Sequence, residues 1–242
     1  MARFSIASDI INRAALEIGL VPVDDPVGSP DEAFVQLTGL LTSAGQEMVE
    51  LHPWQALVRT FELTTADTDT GTYELPDDYS YMIDQTCWDR TNRVAIAGPL
   101  SAQDWTYLKG RDLVNQTIYA SFRLIDSKFD LFPQPPPTGL QISFEYINRN
   151  WERSDGSFAD NIENGSDKVL YEPILIIKFL KAKFLEAKGF DPSSARMEFE
   201  NMFNSRTGKD TGAPILSAGK NGRGYPYLNS FYNTPDTGYG LS

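Results

Sequence analysis

The sequence predicts an α+β chain: an antiparallel helical bundle built from the N-terminal and C-terminal helices, a small antiparallel β module inserted between them, and an extended C-terminal arm. Three observations predict it. Apolar residues recur at helical spacing over the first fifty residues and again between about 170 and 205. The stretch between them changes to short alternating runs broken by turn residues. The last 37 residues hold seven Gly and three Pro and show no period. The boundaries that follow are 1–57 and 166–205 for the bundle, 58–165 for the β-rich insertion and 206–242 for the arm.

The first helix carries Ile6, Ile10, Ala14 and Ile18, with Ser5 or Ser8 as its cap and Gly19 as its stop, because glycine accepts the left-handed conformation that ends a helix. After a loop with Pro22 and Pro26, Ser29-Pro30-Asp31-Glu32 reads as a capping box, with Ser29 the cap and Pro30 at the first helical position. The helix it opens has the stripe Phe34, Leu37, Leu41, Ala44, Met48 and Leu51, and ends before Pro53. The two helices are expected to pack antiparallel. In the insertion, strands are predicted at Arg59–Thr65, Thr72–Leu75, Tyr81–Trp88, Thr117–Ile125, Phe129–Phe132 and Leu140–Ile147, with a short helix Ser101–Leu108 capped by Ser101. Asn148–Asp167 reads as a polar loop. Leu170–Lys188, apolar nearly all round, predicts a helix buried by its neighbours and capped by Gly189. Asp191-Pro192-Ser193 opens the last helix, which turns Ala195, Phe199, Met202 and Phe203 inward and ends near Ser205.

The arm has four bases and two acids, which leaves 17 bases against 31 acids for the rest of the chain. Too rich in Gly and polar residues to fold alone, it nevertheless offers contact residues: Arg206, Lys209, Ile215, Leu216, Lys220, Arg223, Tyr225, Tyr227, Leu228, Phe231, Tyr232, Asp236 and Tyr239. It reads as a segment that orders on a partner or on a neighbouring subunit.

Composition narrows the function classes. The net charge of -12 argues against coating DNA phosphate, where affinity comes from basic charge. One Cys excludes an internal disulfide, and one Cys with one His cannot build a structural zinc site. No run approaches 18 apolar residues, and no secretory leader is legible after Met1-Ala2-Arg3, so the chain reads as made in the cytosol with no membrane partner. His52 lacks a nucleophile motif and reads as a helix-terminal hydrogen-bonding group; Cys87 reads as a small buried hydrophobe. Asp67-Thr68-Asp69-Thr70-Gly71 resembles half a calcium loop, but its glycine falls at position five, so a solvated hairpin turn is expected. Gly219-Lys220-Asn221-Gly222-Arg223-Gly224 lacks the Ser or Thr after Lys of a phosphate loop. No cofactor is expected. The enzymatic alternative is a phage-borne peptidoglycan hydrolase using a carboxylate pair drawn from Glu62, Asp77, Asp78, Asp84, Asp89 and Asp104; a nucleic-acid packaging factor is a third class.

A set of short motifs in fixed order points further: Ile11-Asn12-Arg13-Ala14, Glu17-Ile18-Gly19, Pro53-Trp54, Tyr73-Glu74-Leu75-Pro76-Asp77-Asp78-Tyr79, Ile83-Asp84, Trp88-Asp89, Pro99 with Trp105, Ala187-Lys188-Gly189-Phe190-Asp191, and Asn233–Gly240 in the arm. In this order, over about residues 5–205, the chain resembles the head-to-tail adaptor (connector) proteins of tailed bacteriophages, the tail accessory or tail tubular "A" family of short-tailed phages; Asn148–Asp167 matches nothing in that pattern. The resemblance implies a non-enzymatic virion component, assembled in the host cytoplasm. It also implies a twelve-subunit ring beneath the portal protein, contacts with neighbouring copies and with a downstream tail protein (nozzle, tube or stopper), and an arm that reaches the portal. DNA would pass through the lumen without specific binding, past a net negative wall to which the loops Ala66–Asp69 and Asp155–Asp167 are candidate contributors.

Overall fold

Two N-terminal helices with apolar stripes need partners, and those partners come from the far end of the chain. The structure, a computed structural model, describes residues 4–110 and 120–210. These residues form two compact units, one of residues 4–58 with 147–210 and the other of residues 59–146. In the first, α1 (Ala7–Glu17) buries Ile10, Ile11, Ala14 and Ala15, and α2 (Glu32–Leu51) buries Phe34, Leu37, Leu41, Ala44 and Met48, while Leu51 stays half exposed. Both lie against α4 (Pro173–Ala187), whose other neighbour is α5 (Ser193–Asp210). With helices on several sides, α4 buries Leu175, Ile176, Ile177, Leu180, Ala182 and Phe184, and its lysines Lys178, Lys181 and Lys183 pair with acids of the neighbouring helices. Gly19 (φ 85°) and Gly189 (φ 76°) stop α1 and α4 in the left-handed conformation.

Both N-terminal caps differ from the expected ones. Ile6, not Ser5 or Ser8, stands at the α1 cap without a side-chain bond; the Ala7 and Ser8 N–H groups donate instead to the carbonyls of Asp167 (2.8 Å) and Gly165 (3.0 Å). A distant segment supplies the acceptors that a serine would supply locally. At α2 the cap is Asp31, whose Oδ1 accepts from Ala33 N–H at 2.9 Å, while Ser29 Oγ only accepts from Asp31 N–H. Pro30 therefore lies before the helix rather than in it.

The segment expected to be a polar loop is a small sheet of this unit. β9 (Glu152–Ser154) pairs antiparallel with β10 (Ser157–Ala159) and with β11 (Lys168–Val169). Asp155 (φ 42°) and Gly156 (φ 94°) make its two-residue turn. Trp151 is fully buried beside the sheet, stacked on Tyr171 at 6.0 Å, and its ring sits where a side chain on Gly45 would be.

The second unit holds two sheets. One has the order β1-β8-β4-β5, formed by β1 (Val58–Thr64), β8 (Gln141–Asn148), β4 (Trp88–Asp89) and β5 (Val94–Ala95), with β3 (Tyr79–Met82) also on β8. The other is β2-β7-β6, from β2 (Thr72–Glu74), β7 (Lys128–Phe132) and β6 (Ser121–Ile125). Rings from both fill the core: Phe122 stacks on Phe129 (5.1 Å), Phe129 on Phe144 (5.5 Å), and Phe61 lies on Phe144 (4.8 Å). The single strand expected over Tyr81–Trp88 is broken, because Gln85 takes φ 63° and the Thr86 hydroxyl closes a turn onto the Ile83 carbonyl (2.6 Å). α3 (Ala102–Gly110) is capped by Ser101 as its sequence suggests, with Ser101 Oγ accepting from Asp104 N–H at 3.1 Å. Thr117 and Ile118 lie outside the described residues.

Candidate functional site

The last helix continues past Ser205 to Asp210, so Arg206 and Lys209 belong to its final turns and not to the arm. What extends it is tertiary: the Arg206 guanidinium pairs with Glu172 at 3.1 Å, and the Asp210 carboxylate accepts the Gln55 N–H at 2.8 Å. Glu172, Arg206, Lys209 and Asp210, with Phe4, Trp54, Ala56, Leu170 and Tyr171, line a cleft of about 190 Å³ in the helical unit, at the C-terminal end of α5.

Aromatic rings surround Trp54 in the lining of this cleft. Trp54 meets His52, Tyr171 and Phe203 edge-on, with ring centroids 4.8, 5.8 and 5.9 Å apart. Its indole N–H donates to the Met48 carbonyl at 2.7 Å, and the Tyr171 hydroxyl donates to the Gly45 carbonyl at 2.8 Å, so neither polar tip is stranded. His52 Nε2 lies 3.8 Å from Asp210. Burial pushes the imidazole below its usual value, with the nearby Asp210 charge pulling the other way. The expectation of a hydrogen-bonding His at a helix end thus meets a ring used chiefly for packing. The arrangement fastens the end of α5; among the described residues lining it, no nucleophile stands beside a base.

The remaining sequence candidates are dispersed. Ile215, Leu216, Lys220, Arg223, Tyr225, Tyr227, Leu228, Phe231, Tyr232, Asp236 and Tyr239, and the Gly219–Gly224 run, lie outside the described residues. Cys87 is buried in the core of the sheet unit, and burial pushes its thiol up to about 12. In the Asp67–Gly71 turn, Asp69 accepts from Ala66 N–H (2.7 Å) and the Tyr73 hydroxyl (2.9 Å), and Asp67 accepts from the Thr138 hydroxyl. Gly71 has φ 90°, as a turn requires. Of the carboxylates considered for hydrolysis, Asp89 holds a turn by accepting both the Thr91 and Asn92 N–H groups, Asp78 accepts from the Tyr146 hydroxyl, and Asp104 closes the α3 cap. Glu62, Asp77 and Asp84 are exposed. Among the described residues no group of three His, Cys, Asp or Glu side chains could hold a metal ion, and no helix is long and apolar enough to cross a membrane. Of the acids suggested for a lumen wall, Asp160 pairs with Arg149 at 2.5 Å and Asp167 is buried, whereas Asp155 and Glu163 are exposed.

Sequence reasoning missed the cleft's dependence on Trp54, read only as a motif marker; it took Asp167 for an acid of a solvated loop, whereas Asp167 is buried, and it did not single out the buried Glu152. The family model for SU10 adaptor protein matches residues 5–219, a span that takes in both units. No curated protein matches the chain.

Proposed function

The chain belongs to the SU10 adaptor protein family, and from that premise we propose that it is a structural head-to-tail adaptor of a tailed bacteriophage, a virion component that connects head and tail proteins and catalyses no reaction. The observation that carries the reading is the extent of the match, which covers both units. In finer detail, twelve copies form a ring beneath the portal protein, each binding its neighbours and a downstream tail protein around the DNA exit channel. Repeated head-to-tail contacts close into such a ring when the rotation closes.

The cleft at the end of α5 supports one part of this proposal. Arg206 with Glu172, and Asp210 with Gln55, fasten the last helical turn, so the arm starts from a rigid base after Asp210. Residues 211–242, with Ile215, Tyr225, Tyr227, Phe231 and Tyr232, then serve as the contact segment for the portal or a neighbouring copy. Ordering such a segment on its target costs free energy, which ties ring formation to a completed portal. The test is to mix the purified chain with purified portal and image the product by negative stain. Monomer alone and annular complexes with portal are the expected result. A stable ring from dilute free protein would refute portal-dependent assembly. Failure to bind portal, with clearing of a cell-wall suspension, would overturn the adaptor reading.

A further inference from the structure

We propose that Glu152 and Asp167 share one proton, and that this proton latches the chain's N-terminal segment to the small sheet of the helical unit. The sheet register brings the two together. Val169 stands opposite Glu152, and Lys168 opposite Arg153, so Asp167 falls on the face of Glu152 one diagonal step away. Diagonal neighbours have Cβ atoms roughly 7–8 Å apart or less, within reach of a glutamate side chain. Both residues are only 1% exposed. Asp167 Oδ2 is well supplied, accepting the Glu163 N–H at 2.9 Å and the Asn164 N–H at 2.7 Å. Its Oδ1 is buried and reached by no donor, and the same is true of Glu152 Oε2. Two ionised, buried carboxylates on neighbouring positions, each with an oxygen lacking a donor, are costly. A single proton between them supplies the missing donor and removes one charge.

The surroundings agree. Burial first, and then the negative charges of Asp167 and Glu163, raise the Glu152 carboxyl from 4.5 to about 7. Among the described residues no cation offsets them. Opposite Glu152 stand Ala159 on β10 and Val169 on β11, and the nearby Arg153 and Lys168 are exposed on the other face. From α1 come the N–H groups of Ala7 and Ser8, while Asp9 is exposed.

The latch itself is backbone. Ala7 and Ser8 donate to Asp167 and Gly165, Val169 N–H donates to the Ser5 carbonyl at 3.1 Å, and Ile6 bridges Lys168. Asp167 therefore sits in the turn that holds the start of α1. A carboxyl whose folded value lies above its unfolded value stabilises the fold fully below the unfolded value. That stabilisation is lost as pH rises through the folded value, here between about 4.5 and about 7.

The test compares the full chain with E152Q. Hydrogen exchange at the Ala7, Ser8 and Val169 amides is followed from pH 5 to 8, and the ratio of opening constants, wild type over variant, cancels every group common to both. It is expected to rise with pH, at most about tenfold per unit. A flat ratio would overturn the proposal. Carboxyl-carbon NMR of the wild type needs no variant: a glutamate carboxyl titrating near 7 is expected, and one in the ordinary glutamate range for Glu152 would refute the shared proton. In D167N the Glu152 carboxyl is expected to titrate lower; an unmoved value would show burial acting alone and would overturn the pairing.

Discussion

In the sheet unit buried polar side chains bond within one continuous stretch of chain, across separations of 2 to 75 residues. Asp89 is bonded by Thr91 and Asn92, Thr65 donates to the Pro137 carbonyl and accepts the Leu140 N–H, and Ser143 accepts from Arg90, all at turns or strand ends around a dry core of stacked phenylalanines. In the helical unit the corresponding bonds span the chain. Tyr171 donates to Gly45, Gln46 to the Asp160 carbonyl, and Lys178 to Glu17, across separations of 126, 114 and 161 residues. His52, Asn148, Glu152 and Asp167 each retain one buried atom with no hydrogen-bond partner, against Arg123 Nε in the sheet unit. The contrast teaches that the two units are specified differently. One is held by bonds within a continuous stretch of chain and by aromatic volume, the other by polar contacts that join its two ends around a largely apolar helix. A defect should therefore show up in one unit with its own signature.

The largest expected effect is in the aromatic core. Phe129→Ala removes the ring between Phe122 and Phe144 and is expected to cost about 3–5 kcal/mol. Hydrogen exchange should then show protection lost over residues 121–146 and kept in α4; equal loss in both would erase the distinction between the units. Next is Gly45→Ala, whose new methyl overlaps the Trp151 ring. Overpacking of that kind costs about 1–3 kcal/mol, and loss of protection is expected in α2 and α4 but not in the sheet core. The smallest effect sharpens the boundary of the helical unit. Ending the chain after Asp210 is expected to change stability by less than about 0.5 kcal/mol, whereas ending it after Ser205 deletes the Arg206–Glu172 and Asp210–Gln55 contacts and is expected to cost about 1–2 kcal/mol. Thermal melting of the two truncations checks this, and identical midpoints would place the end of the core at Ser205.

Legibility in the sequence followed the length and regularity of each pattern. α2 and α4 stand out because an apolar stripe over three or more turns has few other readings. The end of α5 does not, since after Phe203 its inward residues are Arg206 and Asp210, whose partners Glu172 and Gln55 lie far away in the chain. The sheet at 152–169 hid in three-residue strands too short to alternate visibly, although Asp155-Gly156 is a hairpin signal that could have found it. The candidate cleft was half legible: Arg206 and Lys209 were picked out, but their place in a helix and the aromatic floor beneath them depend on packing. Glu152 and Asp167 were illegible because an acid in a polar run reads as solvated until a fold buries it.

The central place of α4 has a consequence for synthesis. Translation runs from the N-terminus, and Ala187 is added 136 residues after Leu51. At roughly 5–20 residues per second the ribosome takes about 7–27 s to cross that interval. For that time Ile10, Leu37, Leu41 and Met48 have no final surface to cover them, while residues 59–146, contiguous in the chain, are completed before α4 is made and can collapse on their own. The nascent chain therefore closes from its middle outward, and its first two helices are the segment a holding chaperone would need to shield.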